Sequence, residues 1–242
     1  MTTALLLHCA DGALPIAAFH KAGLGPADPF AREREIAWEG PGAMSAGRVS
    51  FVGELGVTIY PHIETLVVLD GELSLTVPGV APLLLSAGEG AVIAFGTQLR
   101  IQAIAPTRFV FCAAAPAAPT GHGQRGITRL RADADFKPSS PPPAEVLLGS
   151  TPQCRSDNVF TDEATDFRAG TWDSTPYHRV VRPHRLNEFM FLLAGSVRFA
   201  SPDGSVLAAN AGDALFVPRG APIGWESSER VAKFYVVQDV RP

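Results

Sequence analysis

Glu64-Thr-Leu-Val-Val-Leu-Asp-Gly71 and Glu188-Phe-Met-Phe-Leu-Leu-Ala-Gly195 carry one pattern, a glutamate, six residues and a glycine, at an offset of 124 residues. The offset continues without a gap. Pro78 matches Pro202, Leu83 matches Leu207, Gly88 matches Gly212 and Gly96 matches Gly220, while Phe111 falls opposite Tyr235. Each copy is an apolar run rich in aromatic or β-branched residues and closed by glycine, the pattern of a strand entering a turn. Repetition of such a unit at a fixed offset predicts a duplicated β-domain.

Length and composition agree. A chain of 242 residues suits one large or two ordinary domains, and the repeat selects two. Apolar residues make up 46% and charged residues 18%, enough apolar surface for real cores and too little charge for a disordered chain. A net charge of -4 supplies no general attraction to nucleic acid. No apolar run approaches the roughly 20 residues that span a bilayer. Ala4-Leu-Leu-Leu7 is interrupted by His8 and follows no basic residue, so neither a membrane anchor nor a signal peptide is expected. Cys9, Cys112 and Cys154 are widely spaced and odd in number, which fits a reducing compartment and a cytoplasmic location.

Along the chain, residues 1–45 read as a lead-in with a polar patch at Ala31-Arg-Glu-Arg-Glu35. Residues 46–113 form a first β-rich block, with Asp70-Gly71 as a hairpin signal. Residues 114–144 include Pro138-Ser-Ser-Pro-Pro-Pro143 and read as an extended connector, since proline lacks the donor that a central strand needs. Residues 145–242 form the second block, with a turn at Pro202-Asp-Gly204. Long helical periodicity is absent, so any helices are short.

The spacing Glu-x6-Gly, followed by Gly212-Asp213, Pro218-Arg219-Gly220 and the looser Gly88-Glu89, Ala94-Phe95-Gly96, resembles the two motifs of the cupin superfamily. The resemblance implies an all-β fold of two tandem double-stranded β-helix (jelly-roll) barrels, a bicupin, with a degenerate N-terminal copy. Gly170-Thr-Trp172, Asn187 to Gly195, Trp225 and Lys233-Phe-Tyr-Val-Val237 look most like the cupin branch named after (S)-ureidoglycine aminohydrolase. A homodimer is expected by analogy with such proteins.

Metal-binding cupins place three His and one Glu around a cation. The resemblance puts the His-x-His positions on Thr58 and Tyr60 in the first copy and on Arg182 and His184 in the second, with the last ligand on Leu99 and Ile223. The first copy keeps one ligand of four, Glu64, and no metal is expected there. His62 reads as a hydrogen-bonded pocket or rim residue. In the second copy His184 and Glu188 occupy ligand positions, and His178 shares their parity on a regular strand. Those three donors would hold Zn, Mn or Fe with an open water position, although Arg182 stands where a ligand belongs.

The segment His178-Arg-Val-Val-Arg-Pro-His-Arg185 concentrates three Arg and two His in an acidic chain. Guanidinium forks suit carboxylates and phosphates. With Glu188 and the Trp225 ring placed nearby by the family resemblance, the expected ligand site comprises Arg182, His184, Glu188, Tyr177 and Trp225, with Arg179 and Arg185 on an outer face or a subunit interface by parity. No Gly-x-Ser-x-Gly elbow is present, and Gly121-His-Gly-Gln-Arg-Gly126, with His122, reads as connector. The leading expectation is a small-molecule binder for an organic acid or ureide-like ligand. The alternatives are a metal-dependent aminohydrolase-like enzyme and a structural protein.

Overall fold

The computed structural model describes residues 4–15, 17–115 and 125–239. The fold is all-β. Its helical elements among these residues are single 3-10 turns at Pro41–Ala43 and Ala144–Val146. The chain divides into two compact units. The C-terminal unit comprises Met1–Ala17, Arg131–Val159 and Arg168–Pro242, and the N-terminal unit comprises Ala18–Leu130 and Phe160–Phe167. The stretch expected as a lead-in thus serves both units. Leu5–His8 pairs with Ala214–Val217, whereas His20–Lys21 and Arg34–Gly40 extend the sheet of the N-terminal unit. The expected connector also contributes strands: Ile127–Leu130 pairs with Gly90–Ile93, and Lys137–Ser139 with Cys154–Asp162. The calls on His122 and the rest of residues 116–124 lie outside the described residues.

Closed barrels are the expectation from the cupin resemblance; the sheets observed are open paths. In the C-terminal unit a seven-stranded sheet runs in the order Leu5–His8, Ala214–Val217, Asn187–Ala194, Val231–Gln238, Phe167–Ser174, Cys154–Asp162 and Lys137–Ser139. Its last strand contains Pro138, which removes a ladder donor and suits an edge. A four-stranded sheet of His178–Pro183, Pro222–Glu226, Ser196–Ala200 and Val206–Asn210 faces it. Met190, Leu192 and Leu215 from the first sheet share one buried cluster with Phe199, Ile223 and Trp225 from the second. This is the sandwich arrangement in which inward residues alternate along each strand.

The N-terminal unit is a nine-stranded sheet whose two longest members, Met44–Val57 and Leu99–Ala114, pair along their length. A register shift between Phe51 and Gly53 bends the pair. Both arms of the bend reach one core, with Val49 and Phe109 on one arm and Leu55 and Ile101 on the other.

The 124-residue repeat is visible in the register. Glu64 lies opposite Ile93 and Ala113, and Glu188 lies opposite Val217 and Val237, each pair of partners separated by the same offset. Strand-to-turn bonds repeat too. Gly88 N–H donates to Val68 O and Gly212 N–H to Leu192 O, both at 2.8 Å, and Gly96 N–H donates to Tyr60 O as Gly220 N–H does to His184 O, again at 2.8 Å. Gly71 and Gly195 close the repeated strands with φ of 79° and 75°, a conformation that costs side-chain-bearing residues dearly. A Cβ on Gly195 would also sit 2.2 Å from Arg230 O. The glycines are conserved between the copies because only they fit.

Candidate functional site

The equivalent glutamates meet opposite fates. In the N-terminal unit Glu64 is sealed. Arg34 donates through Nη1 to its Oε1 at 3.1 Å and through Nη2 to its Oε2 at 3.0 Å. Tyr60 Oη donates to Oε2 at 2.8 Å, and His62 Nε2 lies 2.8 Å from the same oxygen. The other side of the Arg34 guanidinium is held by Asp28, at 2.8 and 2.9 Å, and Phe111 lies against it at 4.1 Å. Arg34, Tyr60, His62 and Glu64 are all 0% exposed. Burial opposes ionisation of Glu64, but the Arg34 charge and the His62 contact overcome it and pull the carboxyl down to about 2. At this position a resident guanidinium from the strand Arg34–Gly40 already balances the carboxylate. His62 is the pocket histidine expected, in the buried form.

In the C-terminal unit the glutamate faces a cavity of about 660 Å³. Lys233, from the strand Val231–Gln238, donates through Nζ to Glu188 Oε1 at 2.8 Å and lies 3.2 Å from Met190 Sδ. His184 Nε2 is 2.9 Å from Glu188 Oε2. Burial again penalises the charged carboxyl, and the Lys233 ammonium and the His184 hydrogen bond outweigh it, so Glu188 ionises well below the usual carboxylate range. The ammonium also rests against the Trp172 and Trp225 rings at 4.7 and 5.1 Å, a favourable position for a cation. Trp225 stacks on Tyr177 with centroids 5.4 Å apart and is met edge-on by Phe199 at 5.4 Å. These interlocked rings form a stiff aromatic wall. Burial pushes the Tyr177 phenol up, keeping it a neutral donor.

The cavity is also lined by Arg168, Arg179, Arg182, Arg185 and the run Pro141–Pro143. Arg182, His184, Glu188, Tyr177 and Trp225, the expected ligand-site residues, all line it. Arg179 and Arg185 line it as well, contrary to the outer-face reading. For Arg179 the reason is local geometry: the register shifts between Arg179 and Arg182, whose partners Trp225 and Ile223 are only two residues apart, while Arg185 lies past the end of the strand, where parity no longer applies. The bulge cancels the parity difference. Gly224, between those partners, accommodates the irregular strand, since a Cβ there would meet Arg179 O at 3.1 Å. Lys233 carried only a family resemblance in the sequence, and the prolines read as a tether. A strand of alternating parity with Lys233 two residues before Tyr235 was the available signal for the former.

The metal expectation fares differently. His178 is exposed, pairs with Glu226 across the sheet and does not line the cavity, so the three-donor set of His184, Glu188 and His178 does not assemble. Among the described residues no group of three or more His, Cys, Asp or Glu is placed to hold a metal ion. Cys154 lines the cavity, but burial raises its thiol, which disfavours the thiolate a metal needs. With an ammonium on Glu188 and Arg179 and Arg182 beside it, the residues present do not fit a Zn, Mn or Fe ion.

Fold and sequence relatives agree on the class. Residues 161–235 match the EutQ-like cupin domain family, and the chain has the cupin fold. A protein of unknown function from Pseudomonas syringae pv. tomato, belonging to the DUF861 family, is 42% identical with a TM-score of 0.93, over 98% of this chain and 100% of that one. The chain belongs to the DUF861 family. More distant structures share the fold alone: a cupin 2 conserved barrel domain protein from Leptotrichia buccalis (TM-score 0.59, 10% identity, 84% and 87% coverage) and the E. coli protein Ylba (0.56, 12%, 100% and 94%). No curated protein matches the chain.

Proposed function

We propose that the chain is a bicupin whose C-terminal unit binds a small organic anion and whose N-terminal unit is scaffold. The repeated register supports reading both units as cupin domains. One observation carries the ligand class: the 660 Å³ cavity is lined by four arginines and one lysine against a single carboxylate, Glu188. That carboxylate is already balanced by Lys233 at 2.8 Å. The size falls in the range of about 300–1,000 Å³ that suits small molecules, and an aromatic wall with a few placed polar groups is the usual make-up of such sites. The acceptor groups of an organic acid would meet the guanidiniums, and its carbon frame would lie on Trp225 and Tyr177. The likeness of the second half to the ureidoglycine aminohydrolase branch is read as kinship of fold, because water activation by a metal requires donors that this cavity does not bring together.

Titration of the full chain with benzoate, succinate and inorganic phosphate, followed by thermal shift and calorimetry, tests the reading. At least one anion is expected to raise the melting temperature by mass action, and Arg182→Gln to weaken that effect by tenfold or more. Failure of every anion to bind at millimolar concentration sinks it.

A further inference from the structure

The bulge in His178–Pro183 does more than turn Arg179 inward. It places two guanidiniums, Arg179 and Arg182, along one cavity wall, where a regular strand would send residues three apart to opposite faces. Both are half-buried, and neither makes a side-chain hydrogen bond or ion pair among the described residues. Arg179 Nε is wholly buried and unpartnered. The nearby carboxylate is not available to them, since Glu188 is taken by Lys233 and His184. Two adjacent like charges, partly stripped of water and without a directly bonded counterion, are costly. A single negative charge neutralises one guanidinium and leaves the other; two negative charges satisfy both.

From this juxtaposition we infer that the ligand is a dianion, recognised by Arg179 and Arg182 together, with two oxyanion charges carried either by two carboxylates or by one phosphoryl group. The inference rests on the anion-binding reading and sharpens it. Burial acts chiefly against the charge on Arg179 and Arg182 adds to that, while Tyr177 and Glu188 favour it without bonding to it, so an entering dianion supplies the direct partners that both guanidiniums lack. The Arg fork supplies paired N–H donors to each oxyanion. Nothing in the arrangement favours two carboxylates over a phosphoryl group, and the experiment separates them.

The test uses three ligands on one ring: benzoate with one charge, phthalate with two carboxylates, and phenyl phosphate with its second proton lost near pH 6. Calorimetry on the full chain at pH 7.5 and low ionic strength is expected to show phthalate or phenyl phosphate binding at least tenfold more tightly than benzoate, and whichever does so identifies the carrier of the charge. Arg179→Gln and Arg182→Gln are each expected to reduce that preference to threefold or less while benzoate binding changes far less. Both variants are expected to melt no lower than the wild type without ligand, as removal of one of two repelling charges demands. Equal affinity for all three ligands, or a preference that survives both substitutions, overturns the dianion inference and leaves anion binding standing. Absence of binding by all three overturns both.

Discussion

Removing Arg34 would strand Asp28 and Glu64 in the interior without a counter-charge. Both carboxylates are bonded to one guanidinium at 2.8 to 3.1 Å, with side-chain exposures of 0%. Breaking a buried pair by deleting one partner costs about 3–5 kcal/mol. Arg34→Met is therefore expected to lower the unfolding free energy by about that amount, and Arg34→Lys to recover little of it, because an ammonium cannot bridge two carboxylates as a planar fork does. Urea denaturation of the three proteins checks this; a lysine variant as stable as the wild type would contradict the bidentate account. None of this was legible in the sequence. Arg34 lies 30 residues before its partner, outside the repeat, in a stretch that reads only as a polar patch of alternating charges. A charge run reveals its partner only when the topology brings a buried carboxylate to it.

At the scale of single elements, the turns were readable and the strand irregularities were not. Gly71 and Gly195 announce themselves because a positive φ has few residues to choose from. The conformation at Gly195, with Arg230 O 2.2 Å from any added Cβ, makes Gly195→Ala a strained substitution. A loss of about 1–3 kcal/mol is expected from the φ alone. The midpoint of chemical denaturation reads it, and a change below about 0.5 kcal/mol would show that the turn can relax. The bulge at Arg179–Arg182 has no such signature, since Val180 and Val181 are ordinary strand residues. Parity counting therefore misplaced Arg179. The Pro141–Pro143 run, expected as connector, lines the cavity as well. Proline forbids a central strand but permits a stiff wall, and here the run is tied down by Lys137–Ser139 before it and by the Leu147 bridge to Arg179 after it.

For the molecule as a whole, the two equivalent glutamates contribute in the same direction to the response to acid. Glu64 ionises at about 2 in the fold against an ordinary value of 4.5, and Glu188 is shifted in the same direction. Folded-state values below the unfolded one mean that the unfolded chain takes up protons first as the pH falls. The stabilisation is complete above about 4.5 and is lost progressively as the pH drops toward 2. The urea midpoint should hold from neutral pH to about 5 and then decline, with a shallower decline in Glu64→Gln, where one of the two carboxyls no longer titrates. An identical slope in the variant would show that other groups govern acid unfolding. At this scale the repeat was the most legible feature of all, because a gapless offset survives in the register of the strands that carry Glu64 and Glu188, and slips by one residue only past the Arg179–Arg182 bulge.

The strand Leu5–His8 carries a consequence for the order of events in synthesis. Its partner is Ala214–Val217, and Ala10 N–H closes on Asp213 Oδ1 across 203 positions of chain. Leu5–His8 must therefore wait, with Leu6 and Leu7 uncovered, until Ala214–Val217 has been made. The N-terminal unit can fold meanwhile, as every strand of its sheet lies between His20 and Leu130. Adding this early strand to a sheet whose partner is made about 200 residues later is then a late step of folding, exposed to aggregation, and one that a co-translational chaperone would shelter.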